Sequence, residues 1–187
     1  YLVDPSTMQR AFSLDEIRSI WDNTAYWAFC WASGQVLAKH ILDNPDIVRG
    51  KKILDFGSGS GVVAIAAMKA GAKQVIACDI DQDALISCEE NARLNNVTLT
   101  LSDDLFAIQD SDIDLLIAAD VLYDRENLSF LDTFFEFAPE VLLADSRIKD
   151  FRHSKYHHID KIESFTVPDL DELDEFRWVN LYSGSTA

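Results

Sequence analysis

Three glycines, Gly57, Gly59 and Gly61, follow directly on an apolar run, Lys52 to Phe56, and precede another, Val62 to Met68. Glycine tolerates positive φ and lets backbone come close to a ligand, which a turn between strand and helix needs when it holds a nucleotide. Alone, such a turn also fits ordinary turn glycines. A second residue adds to it. Asp79 ends the apolar run Gln74 to Cys78, where a carboxylate can accept both hydroxyls of a ribose. NAD sites share that logic, but they usually carry Gly-x-Gly-x-x-Gly beneath a pyrophosphate. Here the third glycine comes two residues after the second, and Asp55 leads the loop. An acid is unfavourable beside pyrophosphate and favourable beside an α-ammonium. The pattern therefore favours S-adenosylmethionine over NAD.

The elements that must hold these residues alternate. Lys52 to Phe56 and Gln74 to Cys78 read as buried strands, with a helix over 60–70 between them and Gly71 as its C-terminal cap. Asp81 is placed to cap a helix running to about Asn95. Val97 to Leu101, Ile113 to Ala119 and Val141 to Ala144 read as further strands, and Leu128, Leu131, Phe134 and Phe135 mark a packing stripe on a helix. This order predicts an α/β fold, a Rossmann-like doubly wound sheet with helices on both faces. Lys161 to Val167 and Phe176 to Tyr182 read as an antiparallel hairpin added at its end. Ser33 to Leu42 reads as a helix stopped by Asp43-Asn44-Pro45.

The 187 residues suit one domain: an N-terminal helical cover (1–45), a cofactor-binding core (51–145) and a C-terminal hairpin region (146–187). The formal charge is −16. Such a surface repels phosphate backbones and anionic membranes, so neither nucleic acid nor membrane is the expected partner. It suits a protein with a basic surface, or serves solubility alone. Cys30, Cys78 and Cys88 lack metal-ligand spacing and read as reduced thiols of a cytoplasmic protein. His153, His157 and His158 have no ligand partners at metal spacing, so no metal is expected. Trp21, Trp27 and Trp178 are assigned to packing. The acidic run Asp169, Asp171, Glu172, Asp174 and Glu175 reads as a solvated loop or a contact for a basic partner.

Ile53-Leu54-Asp55-Phe56-Gly57-Ser58-Gly59-Ser60-Gly61, then Cys78-Asp79-Ile80-Asp81, then Ala119-Asp120-Val121-Leu122-Tyr123 resemble the seven-strand class I methyltransferases. The Asp-x-x-Tyr motif resembles the branch that includes many protein-lysine methyltransferases. The stretch from Tyr26 to Gln35, with Leu42-Asp43-Asn44-Pro45, is similar to the electron transfer flavoprotein β-subunit lysine methyltransferases. The resemblance covers roughly residues 26–124. It implies a sheet order 3-2-1-4-5-7-6 with the last strand antiparallel. It implies Gly57, Ser58 and Gly59 against the methionine part of the cofactor, Asp79 on the ribose and Ile80 against the adenine. Asp104, or equally Asp103, would lie near the adenine amino group, Trp31 would pack over the cofactor, and Ala119 would line the site. Asp145-Ser146-Arg147 departs from the family by lacking Gly-Pro character.

On this reading the catalytic residues are Asp120 and Tyr123. Asp120 would accept hydrogen bonds from a lysine amine and aim its lone pair, and Tyr123 would wall the amine channel. Because Asp120 favours the cationic amine, the proton would leave to solvent before attack. Asp120 as a cap for the following helix, and Trp31 as packing, are the plainer alternatives. Two other functions compete: methylation of a ribosomal protein or small amine, and a non-catalytic nucleotide-binding domain. The oligomeric state is left open.

Overall fold

The computed structural model describes residues 2–4, 6, 13, 24–109, 112–122, 125–148, 152–168 and 174–186. Strands β1 (Lys52–Phe56), β2 (Gln74–Cys78), β3 (Thr100–Ser102), β4 (Leu115–Ala119), β5 (Glu140–Asp145), β6 (Tyr156–Glu163) and β7 (Trp178–Ser185) form one sheet of order β3-β2-β1-β4-β5-β7-β6. The first five are parallel, and β7 is antiparallel to both β5 and β6. That is the order and the strand direction the resemblance implies.

The central strands are covered on both faces, which is why they read as continuous apolar runs rather than alternating ones. Helices α1 (Ala32–Asp43), α2 (Val62–Lys69), α3 (Gln82–Leu94) and α4 (Phe130–Phe137) supply the cover. On one face Leu37 and Ile41 of α1 and Val63 and Ala67 of α2 pack on Ile53, Ile117 and Leu142. On the other, Leu131 and Phe134 of α4 pack on Leu54, Leu116 and Leu143. Asp81 caps α3 as expected, its side chain accepting from Asp83 N–H. Among the described residues, no helix is long and apolar enough to cross a membrane.

Several strand boundaries differ from the sequence reading, by one residue at each end of β5 and by more elsewhere. β3 begins at Thr100, not Val97, because Val97 N–H donates to Ala92 O and so completes the exit of α3. β4 begins at Leu115, not Ile113. Asp114 is instead occupied at the neighbouring strand's start, exchanging bonds with the Lys52 backbone. β6 starts at Tyr156 and ends at Glu163, before the expected Val167. As an edge strand it is exposed on both faces over 157–161, so it shows no alternation to read. β7 covers Trp178–Ser185 instead of Phe176 to Tyr182, and residues 174–177 form a short 3-10 turn. The apolar residues up to Val167 serve another purpose: Val167 pairs antiparallel with Cys30 and ties the segment before α1 to the C-terminal region.

Candidate active site

At the C-terminal ends of β1, β2 and β4, the glycine loop, the Tyr26–Trp31 segment and the loops after β3, β4 and β5 enclose a cavity of about 920 Å³. The glycine loop is shaped by local bonds. Gly57 and Ser58 N–H both donate to Cys78 O, and Gly61 N–H donates to Ser58 O. Gly61 caps α2 at φ +80°, and a Cβ there would lie 2.6 Å from Cys88 Sγ, so only glycine fits. Beneath the loop, buried Asp55 accepts from Ala64 N–H in the first turn of α2 (2.9 Å). Burial pushes its carboxyl up to about 8, only partly offset by that bond, and the charge of Asp79 adds to the rise. The Ser58 hydroxyl is buried without a hydrogen-bond partner of its own, with only the weakly polar Cys88 thiol beside it.

Asp79 reaches back into the same loop. Its Oδ2 accepts from Gly59 N–H (2.8 Å) and its Oδ1 from Asp81 N–H (3.0 Å). Burial holds this carboxyl above its usual range, opposed by those two N–H groups. Each oxygen keeps a lone pair, as a ribose diol requires. Ile80 stands 89% exposed beside it, and Phe106 (67%) and Tyr26 (51%) line the same cavity. Three large apolar side chains left in water around one cavity form a rim that a flat base would cover. Asp104 lines the cavity and accepts from Phe106 N–H, whereas Asp103 does not line it and accepts from Gln82. Trp31 and Ala119 also line it. The Trp31 indole N–H donates to Tyr26 O, which fixes the aromatic segment over the loop. A buried partnerless hydroxyl, a glycine cradle and an uncovered apolar rim beside a carboxylate fit the amino-acid, sugar and base parts of S-adenosylmethionine.

The opposite end is built differently. Asp120 follows β4 with φ +52°, a left-handed conformation that Asp tolerates better than most residues. It does not cap the following helix. Its carboxylate instead meets α1, accepting from Ser33 N–H (3.2 Å) and Ser33 Oγ (2.6 Å), and it also accepts from Ser146 N–H (3.2 Å) and Oγ (2.9 Å). Buried Asp145 accepts from Leu122, Arg147 and Ile148 N–H. Burial and the neighbouring Asp120 push Asp145 up to about 6. The Arg147 guanidinium lies 4.2 Å from the Phe176 ring centroid and 5.8 Å from that of Trp31. Tyr123, Trp21 and most of the acidic run near 169–175 lie outside the described residues.

Ser33, Asp145 and Ser146 carry no signal in sequence, since their partners are brought to them only by the sheet. Two tryptophan assignments are corrected. Trp27 is no core residue: it is half-buried and lines the cavity above Gly59. Trp178 is exposed, its ring beneath the Lys161 ammonium, because β7 there faces only the edge strand. Burial raises the thiols of Cys30, Cys78 and Cys88 to about 11 or 12, so they stay protonated and inert near neutrality.

The family model that matches residues 37–125 is the Ribosomal protein L11 methyltransferase (PrmA) model. The electron transfer flavoprotein beta subunit lysine methyltransferase of Homo sapiens is 37% identical over 163 residues, covering 81% of this chain and 62% of the human protein. Its counterpart in Rattus norvegicus is 34% identical over 157 residues, covering 80% and 62%. The chain thus spans about three fifths of the length of these relatives. Among solved structures, an RNA methyltransferase from Salinibacter ruber in complex with S-adenosyl-L-homocysteine superposes with TM-score 0.58 at 19% identity, over 80% of this chain and 89% of that one.

Proposed function

We propose that this chain is a class I S-adenosylmethionine-dependent methyltransferase, and more closely a protein-lysine N-methyltransferase acting on the electron transfer flavoprotein β subunit or a similar protein. The observation that carries the reading is the carboxylate of Asp120, held fast in the lining of the same cavity that fits the cofactor. Likeness to the human and rat lysine methyltransferases over four fifths of the chain supports the substrate class.

The sulfonium supplies an already activated methyl group, so the protein's task is alignment and exclusion of water. Gly57, Ser58 and Gly59 with Asp55 would hold the methionine part, Asp79 the ribose, and Ile80 and Asp104 the base, with Trp31 and Ala119 forming the walls. Asp120 would accept a hydrogen bond from the lysine amine and turn its lone pair toward the methyl carbon. The ammonium proton leaves to solvent first. A bound cofactor would supply the methyl carbon to the neutral amine, with S-adenosylhomocysteine as the leaving group.

The net charge of −16 supports a partner with a basic surface and disfavours nucleic acid and membrane. The three free thiols support a reducing, cytoplasmic setting. A second reading, methylation of ribosomal protein L11, draws on the family model over residues 37–125 and on bacterial L11 methyltransferases that match only 43% of the chain. Transfer of a tritiated methyl from S-adenosylmethionine to recombinant electron transfer flavoprotein β subunit, run beside L11, separates the two. Label on the former supports the proposal, label on L11 alone replaces it with the second reading, and label on neither overturns both.

A further inference from the structure

Two buried hydroxyls beside the cavity-lining Asp120 have no part in the mechanism so far. Ser33 lies in the first turn of α1 with no exposed surface, and Ser146 follows β5 at 7% exposure. Both bond to Asp120, and they share its two oxygens unequally. Oδ1 accepts from Ser33 Oγ, Ser146 Oγ and Ser146 N–H, while among the described residues Oδ2 accepts from Ser33 N–H alone. A carboxylate oxygen offers about two lone-pair sites, so Oδ1 is saturated and Oδ2 keeps one open.

We propose that Ser33 and Ser146 are positioning residues that lock the Asp120 carboxylate and leave Oδ2 as the acceptor for the lysine amine. The inference rests on the reading that Asp120 meets that amine. Three physical consequences support it. The bonds fix the carboxylate on two separate elements, so its direction survives the left-handed backbone at Asp120. Four donors, one of them at the positive end of a twelve-residue helix, draw off part of its negative charge. A carboxylate so occupied grips an ammonium less tightly than a bare one, which eases loss of the proton that must precede attack. The same bonds join the N-terminal cover to the acceptor site, so α1 docking and carboxylate alignment become one event.

The test is steady-state methylation of recombinant electron transfer flavoprotein β subunit by the full chain, with S-adenosylhomocysteine affinity measured by calorimetry. Ser33→Ala and Ser146→Ala should each lower kcat roughly ten- to hundredfold, the range expected for a hydrogen bond to a charged group. KM for the protein substrate and Kd for S-adenosylhomocysteine should stay within about threefold. Ser146→Thr, which keeps the hydroxyl, should recover most of kcat. The double alanine variant should fall to the level of Asp120→Asn and no further, since residues acting as one unit do not add. Wild-type kcat in Ser146→Ala, a threonine variant as slow as the alanine one, or a loss confined to cofactor affinity overturns the inference while leaving the methyltransferase reading intact. A wild-type chain that transfers nothing to the protein removes both.

Discussion

The two ends of the cavity are assembled on different plans. At the cofactor end, contacts are short in sequence: Asp79 bonds to Gly59 and Asp81, 20 and 2 residues away, and Asp55 to Ala64, 9 away. At the acceptor end, Asp120 is joined to residues 87 and 26 positions distant. The cofactor end also leaves surface uncovered, with Ile80, Phe106 and Tyr26 in water, whereas the acceptor end is cross-linked by buried hydroxyls and backbone N–H groups. A site that must admit and release a whole nucleoside keeps an open apolar rim. One that must aim a single lone pair benefits from being rigid before the substrate arrives.

If the two ends are functionally separate, variants should sort cleanly between them. The largest effect is expected at Asp120. Asp120→Asn keeps an acceptor and tolerates the left-handed backbone, yet kcat for methyl transfer should fall about a hundredfold or more, while S-adenosylhomocysteine affinity stays within a few-fold. A matching loss of cofactor affinity would break the separation. Next, Asp79→Ala should weaken S-adenosylhomocysteine binding about ten- to hundredfold by calorimetry, combining loss of a charged acceptor with loss of the loop bonds to Gly59 and Asp81. Unchanged affinity would show that Asp79 only shapes the loop.

Asp55 sharpens the contrast through pH. Its folded carboxyl is raised from 3.8 to about 8, so the folded chain keeps a proton that the unfolded chain releases. The associated stability is present in full below about pH 4 and is lost as pH rises through about 8. Urea unfolding should therefore give a free energy lower by about 4 kcal/mol at pH 8.5 than at pH 5. Asp55→Asn should remove most of that difference, and a stability that rises over the interval would contradict the assignment. The smallest effect belongs to the rim. Ile80→Ala should weaken cofactor binding by only about threefold through lost apolar contact, with no change in melting temperature because the side chain is 89% exposed in the free protein. A drop in melting temperature would mean that Ile80 has a packing role.

The same contrast explains what could be read from sequence. Strands β1 and β2, the Asp81 cap and the cofactor-end positions of Gly57 and Asp79 follow from spacing within one β-α-β unit, where neighbours in sequence remain neighbours in space, whereas Ile80 comes from the family resemblance. The serine clamp on Asp120 does not follow, because Ser33 and Ser146 meet it only after the sheet has placed β5 beside β4 and α1 over both. Trp27 and Trp178 were misread for a related reason: an indole serves a core, a cavity wall or an exposed strand, and only tertiary position decides which. The edge strand β6 hid its boundaries because neither of its faces is buried over 157–161.

The most direct test of the lysine methyltransferase account is tandem mass spectrometry of electron transfer flavoprotein β subunit after incubation with this chain and S-adenosylmethionine. The account predicts one or more added methyl groups confined to lysine ε-nitrogens, absent with Asp120→Asn. Methylation at glutamine, arginine or the α-amino group, or an unmodified protein, would contradict it.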